Sequence, residues 1–380
     1  GSEMCIRDRL TSMIVNESIP SNNANVAEAK SLIRVGISQG DTNGVGYELI
    51  FKTFADATMF ELCTPIVYGH IKVANYHRKA LNINVSLNVI NSAEEAVEGQ
   101  LNFVNCADDD IKVEYGKQSA EAGHAAFEAL EQAISDYKMG NIDVLVTAPI
   151  NKASIQSSNF RFVGHTEYLQ DRVGQESEGP LMILCNNMMR VALVTTHVPI
   201  SEVAYSVTED KIIQKAKLLY ESLCKDFCIS APRIAVLALN PHAGDGGVLG
   251  TEEQEVIIPA VKALSEAGIP CYGPYAADGF FGAASYRHFD GILAMYHDQG
   301  LTPFKALSMN DGVNFTAGLP LVRTSPDHGT AYDIAGKGVA HADSFRQAVY
   351  AAIDIYRNRL AYNEAHANPL PKIYQDRKER

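Results

Sequence analysis

The sequence predicts an α/β protein of two domains, and three observations support this fold class. The chain has 380 residues, which is more than one small hydrophobic core usually organises. Short apolar runs of strand length alternate with longer segments in which apolar residues recur at helical spacing. The short runs are continuously apolar, as is typical of strands that are buried on both faces of a parallel sheet.

The predicted elements follow from these patterns in chain order. The predicted strands are residues 33–38, 64–69, 85–90, 101–104, 142–147, 181–185, 191–195, 233–239 and 292–295. The predicted helices are residues 70–80, 119–139, 209–225, 251–267 and 344–358, with one more after a turn at 40–44. The helix at 119–139 is the clearest, because Phe127, Leu130 and Ile134 share one face and Gly140 can end it.

The composition excludes several classes of partner. The net charge of −13 makes the surface repel the phosphate backbone of nucleic acids. No run approaches the roughly 18 apolar residues that a transmembrane helix needs. The seven cysteines are scattered and odd in number, which indicates a reducing compartment. We therefore expect a cytoplasmic protein with no nucleic-acid partner and no membrane partner.

Residues 1–30 differ from the rest of the chain. Gly1-Ser2 is typical of a cloning remnant, and the segment shows neither helical nor strand periodicity. It also lacks a cationic stretch followed by an apolar core, which is the pattern of a secretory signal. We interpret residues 1–30 as a tag or a disordered leader.

Three histidines, His197, His242 and His297, each stand just after a predicted strand. In α/β folds, ligands bind beyond the carboxyl ends of the strands. Three imidazoles with one open position are typical of a catalytic divalent metal. Histidines that make only structural hydrogen bonds would fit the same positions, so both interpretations stay open at this point.

Two further groups of polar residues favour an anionic ligand. His165 and Thr166 stand at a predicted helix start, where backbone N–H groups bind phosphate. A simple helix cap with an exposed histidine is the alternative. Lys305, Asn314 and Arg323 are spaced nine apart in an apolar stretch, and the two cations there are suited to phosphate or carboxylate. Ordinary surface cations are the alternative interpretation of this group.

The segment 327–338 is rich in glycine, which permits close approach of the backbone to a ligand. It is also compatible with an ordinary loop. The earlier Gly44-Val45-Gly46 turn lacks the glycine fingerprint of dinucleotide-binding folds, so it predicts no such site by itself.

Taken together, these motifs resemble the 4-hydroxythreonine-4-phosphate dehydrogenase family of vitamin B6 biosynthesis. The resemblance runs from about residue 34 to 349, and its strongest segments are GHTEYL, VALVTTHVPI, LNPHAGDGGVLGTEE, LAMYHDQGLTPFK and GVNFTAGLPLVRTSPDHGTA. It implies an isopropylmalate-dehydrogenase-like fold with two α/β/α domains and an active site in the cleft between them. Residues 31–155 plus 310–380 would form the first domain. Residues 156–309 would form the second domain, which carries the interface of a homodimer.

The resemblance also assigns roles to residues. The implied metal ligands are His197, His242 and His297. The implied substrate-binding residues are His165, Thr166, Lys305, Asn314 and Arg323. The implied cofactor-binding residues are His328, Gly329, Thr330, Asp333 and Ile334. Lys305 and Asp298 are the expected catalytic residues, NAD or NADP is the expected cofactor, and the expected metal is zinc, cobalt or magnesium.

The implied reaction is an oxidation followed by loss of carbon dioxide. The nicotinamide takes a hydride from the carbon that carries the free hydroxyl of 4-phosphohydroxythreonine. The product, 2-amino-3-oxo-4-phosphooxybutanoate, then decarboxylates to 3-amino-2-oxopropyl phosphate, and the metal polarises the ketone. Asp245, Asp278 and Asp298 are candidates for the general base, although each would also fit as an orienting partner of a histidine.

One turn departs from the family pattern. The family typically reads Gly-Asp-Pro-Ala-Gly-Ile-Gly-Pro-Glu, whereas residues 40–48 read Gly-Asp-Thr-Asn-Gly-Val-Gly-Tyr-Glu. The difference leaves open a dehydrogenase of the same fold that acts on another phosphorylated hydroxy acid. A zinc hydrolase that uses the three histidines is a more distant alternative, and binding of NAD would exclude it.

Overall fold

The computed structural model describes residues 32–107, 110–156, 162, 164–174, 179–308 and 310–368. The expected leader at 1–30 lies outside these residues. Twelve strands within the described ranges form one continuous sheet. The strands are β1 Ile33–Ser38, β2 Cys63–Gly69, β3 Leu87–Ile90, β4 Leu101–Asn105, β5 Val144–Thr147, β6 Leu181–Cys185, β7 Arg190–Leu193, β8 Ile234–Leu237, β9 Cys271–Tyr275, β10 Gly291–Ala294, β11 Val313–Ala317 and β12 Val322–Pro326.

Helices pack on the sheet. They are α1 Gly46–Phe54, α2 Ile71–Ala80, α3 Ala120–Met139, α4 Lys152–Ile155, α5 His165–Val173, α6 Val203–Ser206, α7 Glu209–Lys225, α8 Ile258–Glu266, α9 Ala277–Gly282, α10 His297–Ser308 and α11 Asp343–His366. None of the helices in the described ranges combines the length and the hydropathy that a bilayer-spanning segment requires.

The long helix α3 shows how local sequence fixes an element. Ser119 caps its start, since the side-chain oxygen accepts a hydrogen bond from the N–H of Ala122 at 3.0 Å. Gly140 ends it in the left-handed conformation, with φ of 79°. The face that carries Ala126, Leu130 and Ile134 is buried, as the helical spacing predicts.

The sheet is mainly parallel, with eight parallel pairings among its eleven. Its strand order is β3-β4-β2-β1-β5-β12-β11-β6-β7-β10-β8-β9. The outer pairs are parallel, as predicted, whereas β12 with β11, β11 with β6, and β6 with β7 are antiparallel. The α/β class with mainly parallel strands is therefore confirmed, and the three antiparallel pairings lie at the centre of the sheet. There, short antiparallel connections replace the crossover helices that parallel strands need.

The strand order bears on the predicted domains. The seven strands from β3 to β11 in sheet order belong to the predicted first domain, and the five from β6 to β9 belong to the second. All described residues nevertheless form one compact unit, so the division into two domains stays a prediction.

Candidate functional site

A cavity of about 470 Å³ lies over the middle of the sheet. Its walls come from α5 and from the ends and faces of five adjacent strands, β5, β12, β11, β6 and β7. Strands of both predicted domains therefore contribute to it. Seven of the predicted site residues line this cavity, namely His165, Thr166, His197, Asn314, Arg323, His328 and Gly329.

Arg323 lies at the base of the cavity and is only 3% exposed. Its Nε and Nη2 atoms donate to Thr147 Oγ1 at 3.1 and 2.6 Å, and Nη1 donates to Thr316 Oγ1 at 3.3 Å. Burial lowers the pKa of Arg323 to about 10, so the group keeps its charge at neutral pH. No carboxylate in the described part of the chain forms an ion pair with it. A buried guanidinium in that state favours an anionic ligand.

His165 presents a donor to the same space. Its Nδ1 lies 3.2 Å from Arg323 Nη2, and because a guanidinium can only donate, Nδ1 accepts and the ring proton is on Nε2. Burial, followed by the charges of Arg323 and Lys152, holds the pKa of His165 well below its ordinary value, so the ring is neutral. The Nε2 atom is buried and has no hydrogen-bond partner among the residues that the structure describes. An N–H donor is thus left for a ligand in the cavity.

The first turn of α5 completes this anion-binding wall. The helix begins at His165, and the N-cap residue Gly164 supplies no side chain to satisfy the N–H groups that follow. These N–H groups and the Thr166 hydroxyl stand at the positive end of the helix dipole, where anions bind. Across the cavity, Asn314 Oδ1 is buried, and it has no hydrogen-bond partner in the described part of the chain. It can accept a bond from an ammonium or hydroxyl group of a ligand.

Two of the three predicted metal ligands lie together. The rings of His197 and His297 have centroids 6.1 Å apart, and both line a small space of about 300 Å³. His297 Nδ1 lies 2.7 Å from Asp298 Oδ1, so the Nδ1–H group donates a hydrogen bond to the carboxylate, and Nε2 is the ring nitrogen left for a metal. Burial, followed by the charge of Lys152, lowers the pKa of His197. The lowered pKa favours the neutral form of His197, which is the form that binds a metal.

The third predicted ligand, His242, does not line the space that His197 and His297 share. The described residues contain no group of three histidine, cysteine or acidic side chains arranged to hold a metal. His242 is exposed on the turn Pro241–Gly247, where the residues from His242 to Gly246 all have positive φ. The Glu253 carboxylate stabilises this turn, because Oε1 accepts from the N–H groups of Leu239 and Asn240 at 2.8 and 2.7 Å.

A second cavity of about 350 Å³ adjoins the first and shares Asp327 and His328 with it. Lys305, predicted to bind substrate, lines this second cavity rather than the first. Of the predicted cofactor residues, His328 and Ile334 line the second cavity, whereas Gly329 lines the first. Thr330 accepts a backbone hydrogen bond from Val45, and Asp333 is exposed to solvent.

The altered turn at 40–48 supports the glycine-rich segment and does not line the first cavity. Val45 N donates to Thr330 O at 3.1 Å, and Tyr332 Oη donates to Asp41 Oδ2 at 2.7 Å. The buried Glu48 carboxylate accepts from Ala340 N at 2.8 Å. The turn therefore shapes the second cavity, into which Val45 also projects.

Sequence reasoning missed Lys152, which lines the first cavity and lies 3.4 Å from His197 Nε2 through its Nζ atom. The signal was present, because Lys152 follows the predicted strand at 142–147 just as the three histidines follow theirs. The role of Thr147 as the acceptor for Arg323 was also missed. A buried threonine at the end of an apolar strand carries no distinguishing pattern.

Comparisons with known proteins agree on one family. The sequence model described as "Pyridoxal phosphate biosynthetic protein PdxA" matches residues 61–352. A 4-hydroxythreonine-4-phosphate dehydrogenase from Bacteroides thetaiotaomicron is 62% identical over 347 residues, which cover 91% of this chain and 95% of that protein. A D-threonate 4-phosphate dehydrogenase from Cupriavidus necator is 38% identical, covering 86% of this chain and 98% of that one. The crystal structure of a 4-hydroxythreonine-4-phosphate dehydrogenase from Burkholderia phymatum superposes with a TM-score of 0.70 at 36% identity, covering 86% and 99% of the two chains.

Proposed function

Because this chain belongs to the PdxA family of pyridoxal phosphate biosynthetic proteins, we propose that it oxidises 4-phosphohydroxythreonine with a nicotinamide cofactor. The product is 2-amino-3-oxo-4-phosphooxybutanoate, which decarboxylates to 3-amino-2-oxopropyl phosphate. One observation carries the proposal. A buried Arg323, which forms no ion pair with a described carboxylate, shares a cavity with His197 and with a neutral His165 whose Nε2–H group has no acceptor among the described residues. That arrangement suits a substrate with an anionic end and an oxidisable hydroxyl.

The phosphate of the substrate binds at the Arg323 end of the cavity in this proposal. Arg323 contributes positive charge, and the Nε2–H group of His165 donates a hydrogen bond to the phosphate. Thr166 and the first N–H groups of α5 supply further donors. Because threonine hydroxyls and neighbouring strands hold the guanidinium, the donors are in place before the substrate arrives. Binding at this end fixes the distance between the phosphate and the reacting carbon.

The hydroxyl end of the substrate lies toward His197 and His297. Within one chain these two rings would hold a divalent metal, since burial favours the neutral form of His197 and Asp298 orients the ring of His297. Zinc, cobalt or magnesium bound there would polarise the hydroxyl and the ketone product. In this arrangement Asp298 orients His297, so Asp298 acts on the reaction through that histidine and not by contact with the substrate.

A homodimer supplies what one chain lacks. His242 is the remaining ligand of the proposed set, and a second copy of the chain would bring it to the His197–His297 pair. Exposed apolar side chains near these ligands support an interface: Ile200 is 75% exposed, Tyr205 88% and Val248 79%. A surface of that kind is typically covered in an assembly.

The nicotinamide cofactor occupies the second cavity in this proposal. Val45, Leu49 and Ile334 provide apolar contacts for an adenine ring. His328 lies on the wall shared with the first cavity, so a nicotinamide held beside it would adjoin the substrate cavity. Lys305, on the second cavity, supplies charge for the cofactor or for the substrate beside it. The cofactor is NAD or NADP, and the reaction takes place in the cytoplasm.

The decisive experiment measures NADH formation from 4-phosphohydroxythreonine and NAD, with and without a chelator. We expect turnover that the chelator abolishes and that zinc, cobalt or magnesium restores. D-Threonate 4-phosphate is the second substrate to assay, because a relative with that specificity is 38% identical to this chain. NAD binding with turnover of only the second compound would reassign the substrate within the same chemistry. Absence of NAD binding would overturn the dehydrogenase proposal and favour a hydrolase.

A further inference from the structure

Lys152 is a charged side chain of the cavity that the proposed function does not use. It begins the short helix α4, and its backbone is fixed because Asn151 Oδ1 accepts from the N–H groups of Ala153 and Ser154 at 3.0 and 2.9 Å. Its side chain extends between Gly164 and His197. A methyl group placed on Gly164 would lie 4.0 Å from Lys152 Cε, and Lys152 Nζ lies 3.4 Å from His197 Nε2.

The ammonium has no anionic partner in the described part of the chain. No carboxylate there lies within ion-pairing distance of Nζ. Its contact with His197 uses one of its three donors, and Lys152 lines the cavity that Arg323 also lines. Lys152, Arg323 and Lys215 line this cavity against the carboxylates of Glu167 and Asp327, so cations outnumber anions there and favour an anionic ligand.

The contact with His197 conflicts with the proposed metal role of the same atom. Nε2 of a neutral imidazole has a single lone pair, and an ammonium that donates to Nε2 uses it. A divalent cation on Nε2 would also repel the ammonium at such a short distance. Lys152 and a metal therefore cannot share Nε2 of His197, so the lysine has to swing away when a metal binds that atom.

The flexible four-carbon stem of lysine allows that movement. The open direction is the cavity itself, between the start of α5 and His197, where the substrate lies in the proposed function. We propose that Lys152 is an exchange residue, which donates to His197 Nε2 in the free enzyme and to an anionic oxygen of the substrate once metal and substrate are bound. This inference rests on the proposed function for the location of the substrate.

The first test measures zinc and cobalt binding to the substrate-free protein by calorimetry. Lys152→Met removes the competing donor and its charge, so we expect metal to bind about threefold to tenfold more tightly than to the unaltered protein. Lys262→Met is the matched control, since Lys262 lies on α8 with a side chain 75% exposed and changes net charge equally. Metal affinity in Lys152→Met that is equal to or weaker than in the control would overturn the exchange.

The second test measures the dissociation constant of 4-phosphohydroxythreonine without NAD, so that no turnover occurs. We expect Lys152→Met to weaken it about 10-fold or more, and Lys152→Arg to recover most of the loss. Inorganic phosphate is the probe that separates the two anionic groups. An equal loss for phosphate identifies the phosphate as the partner of Lys152, and an unchanged phosphate affinity identifies the carboxylate. Unaltered substrate affinity in Lys152→Met would overturn the inference.

The two proposals fail in distinguishable ways. If the unaltered protein binds neither metal nor 4-phosphohydroxythreonine, the proposed function itself is wrong. If the unaltered protein binds both, and Lys152→Met changes neither affinity, only the role of Lys152 is wrong. Because the Lys152 ammonium makes no hydrogen bond among the described residues apart from that with His197, we expect all three variants to fold.

Discussion

At the scale of single residues, the site depends on which nitrogen of each imidazole carries the proton. His165 faces a guanidinium through Nδ1, so its Nε2 becomes a donor for an anion. His297 faces a carboxylate through Nδ1, so its Nε2 becomes an acceptor for a metal. The sequence identifies both histidines as candidates. The tautomers cannot be predicted from the sequence, because contacts with Arg323 and Asp298 set them and only the fold creates those contacts.

Arg323→Lys tests the anion site at this scale. The variant keeps the positive charge but loses the planar fork that bonds Thr147 and Thr316. We expect the KM for the phosphorylated substrate to rise about 10-fold to 100-fold, while the KM for NAD changes less than about twofold. Arg233→Lys is the control, since that arginine is 53% exposed and pairs with Asp290 at the surface. An unchanged substrate KM in Arg323→Lys would show that the phosphate binds elsewhere.

Asp298→Asn separates two roles for Asp298. If the carboxylate orients His297, its loss weakens metal binding about 10-fold to 100-fold, measured by calorimetry with zinc or cobalt. If Asp298 is instead the general base, metal affinity stays the same and kcat falls. We expect the first result. Asp278→Asn provides the comparison, because Asp278 is exposed on α9 and is another candidate base.

At the scale of elements, the hairpin of β11 and β12 explains why residues nine positions apart act together. Its register places Thr316 opposite Arg323 and Asn314 opposite Ser325. The spacing of polar residues predicts a ligand site here, and Arg323 and Asn314 do line one cavity. Neither strand was predicted, because the polar residues interrupt the apolar pattern and the pairing with β6 is non-local. Local sequence patterns do not encode such pairing.

The altered turn at 40–48 is a second case at this scale. Sequence reasoning linked its unusual residues to the identity of the substrate. Asn43 instead joins the turn to the segment before α3, since Nδ2 donates to Lys117 O at 3.0 Å and Oδ1 accepts from Glu114 N at 2.8 Å. The Asn43 side chain is thus held by residues 114 and 117, and none of these three residues lines the first cavity. The turn gives no reason to change the proposed substrate.

Glu253→Gln tests the turn that carries His242. Several residues there have positive φ, which is unfavourable for side chains other than glycine. The Glu253 carboxylate offsets this cost by accepting two backbone N–H groups and Asn240 Nδ2, the last at 2.9 Å. An amide would place a donor against one of these donors. We expect the free energy of unfolding in urea to fall by about 1–3 kcal/mol.

The exposed neighbour Glu255 provides the control for this prediction. Glu255→Gln removes the same charge from the same helical segment and should leave the midpoint of unfolding unchanged. Equal stability of the two variants would mean that the Glu253 contacts contribute nothing net. Metal binding by Glu253→Gln should also weaken if His242 is a ligand, because the turn that positions it is loosened.

At the scale of the whole molecule, the sheet order brings together what the sequence lists separately. The strands before His197, His297 and His242 are β7, β10 and β8, which are neighbours in the sheet. Sequence reasoning thus predicted correctly that each histidine follows a strand. It could not predict that only two of the rings would meet within one chain, because the length and direction of the turn after β8 decide where His242 points.

Subunit mixing tests whether a second copy completes the site. A dimer of His197→Ala with His242→Ala contains one site in which both mutated positions coincide and one site with every ligand intact, provided that His242 comes from the partner. Random 1:1 mixing after reversible dissociation should then restore about a quarter of the unaltered activity, since half of the dimers are mixed. Metal content measured on the same mixture should rise in parallel.

His197→Ala mixed with His297→Ala is the control and should restore nothing, because their rings lie together in one chain. Recovery in neither mixture would place all three ligands in one subunit and would require the turn at His242 to move toward the pair.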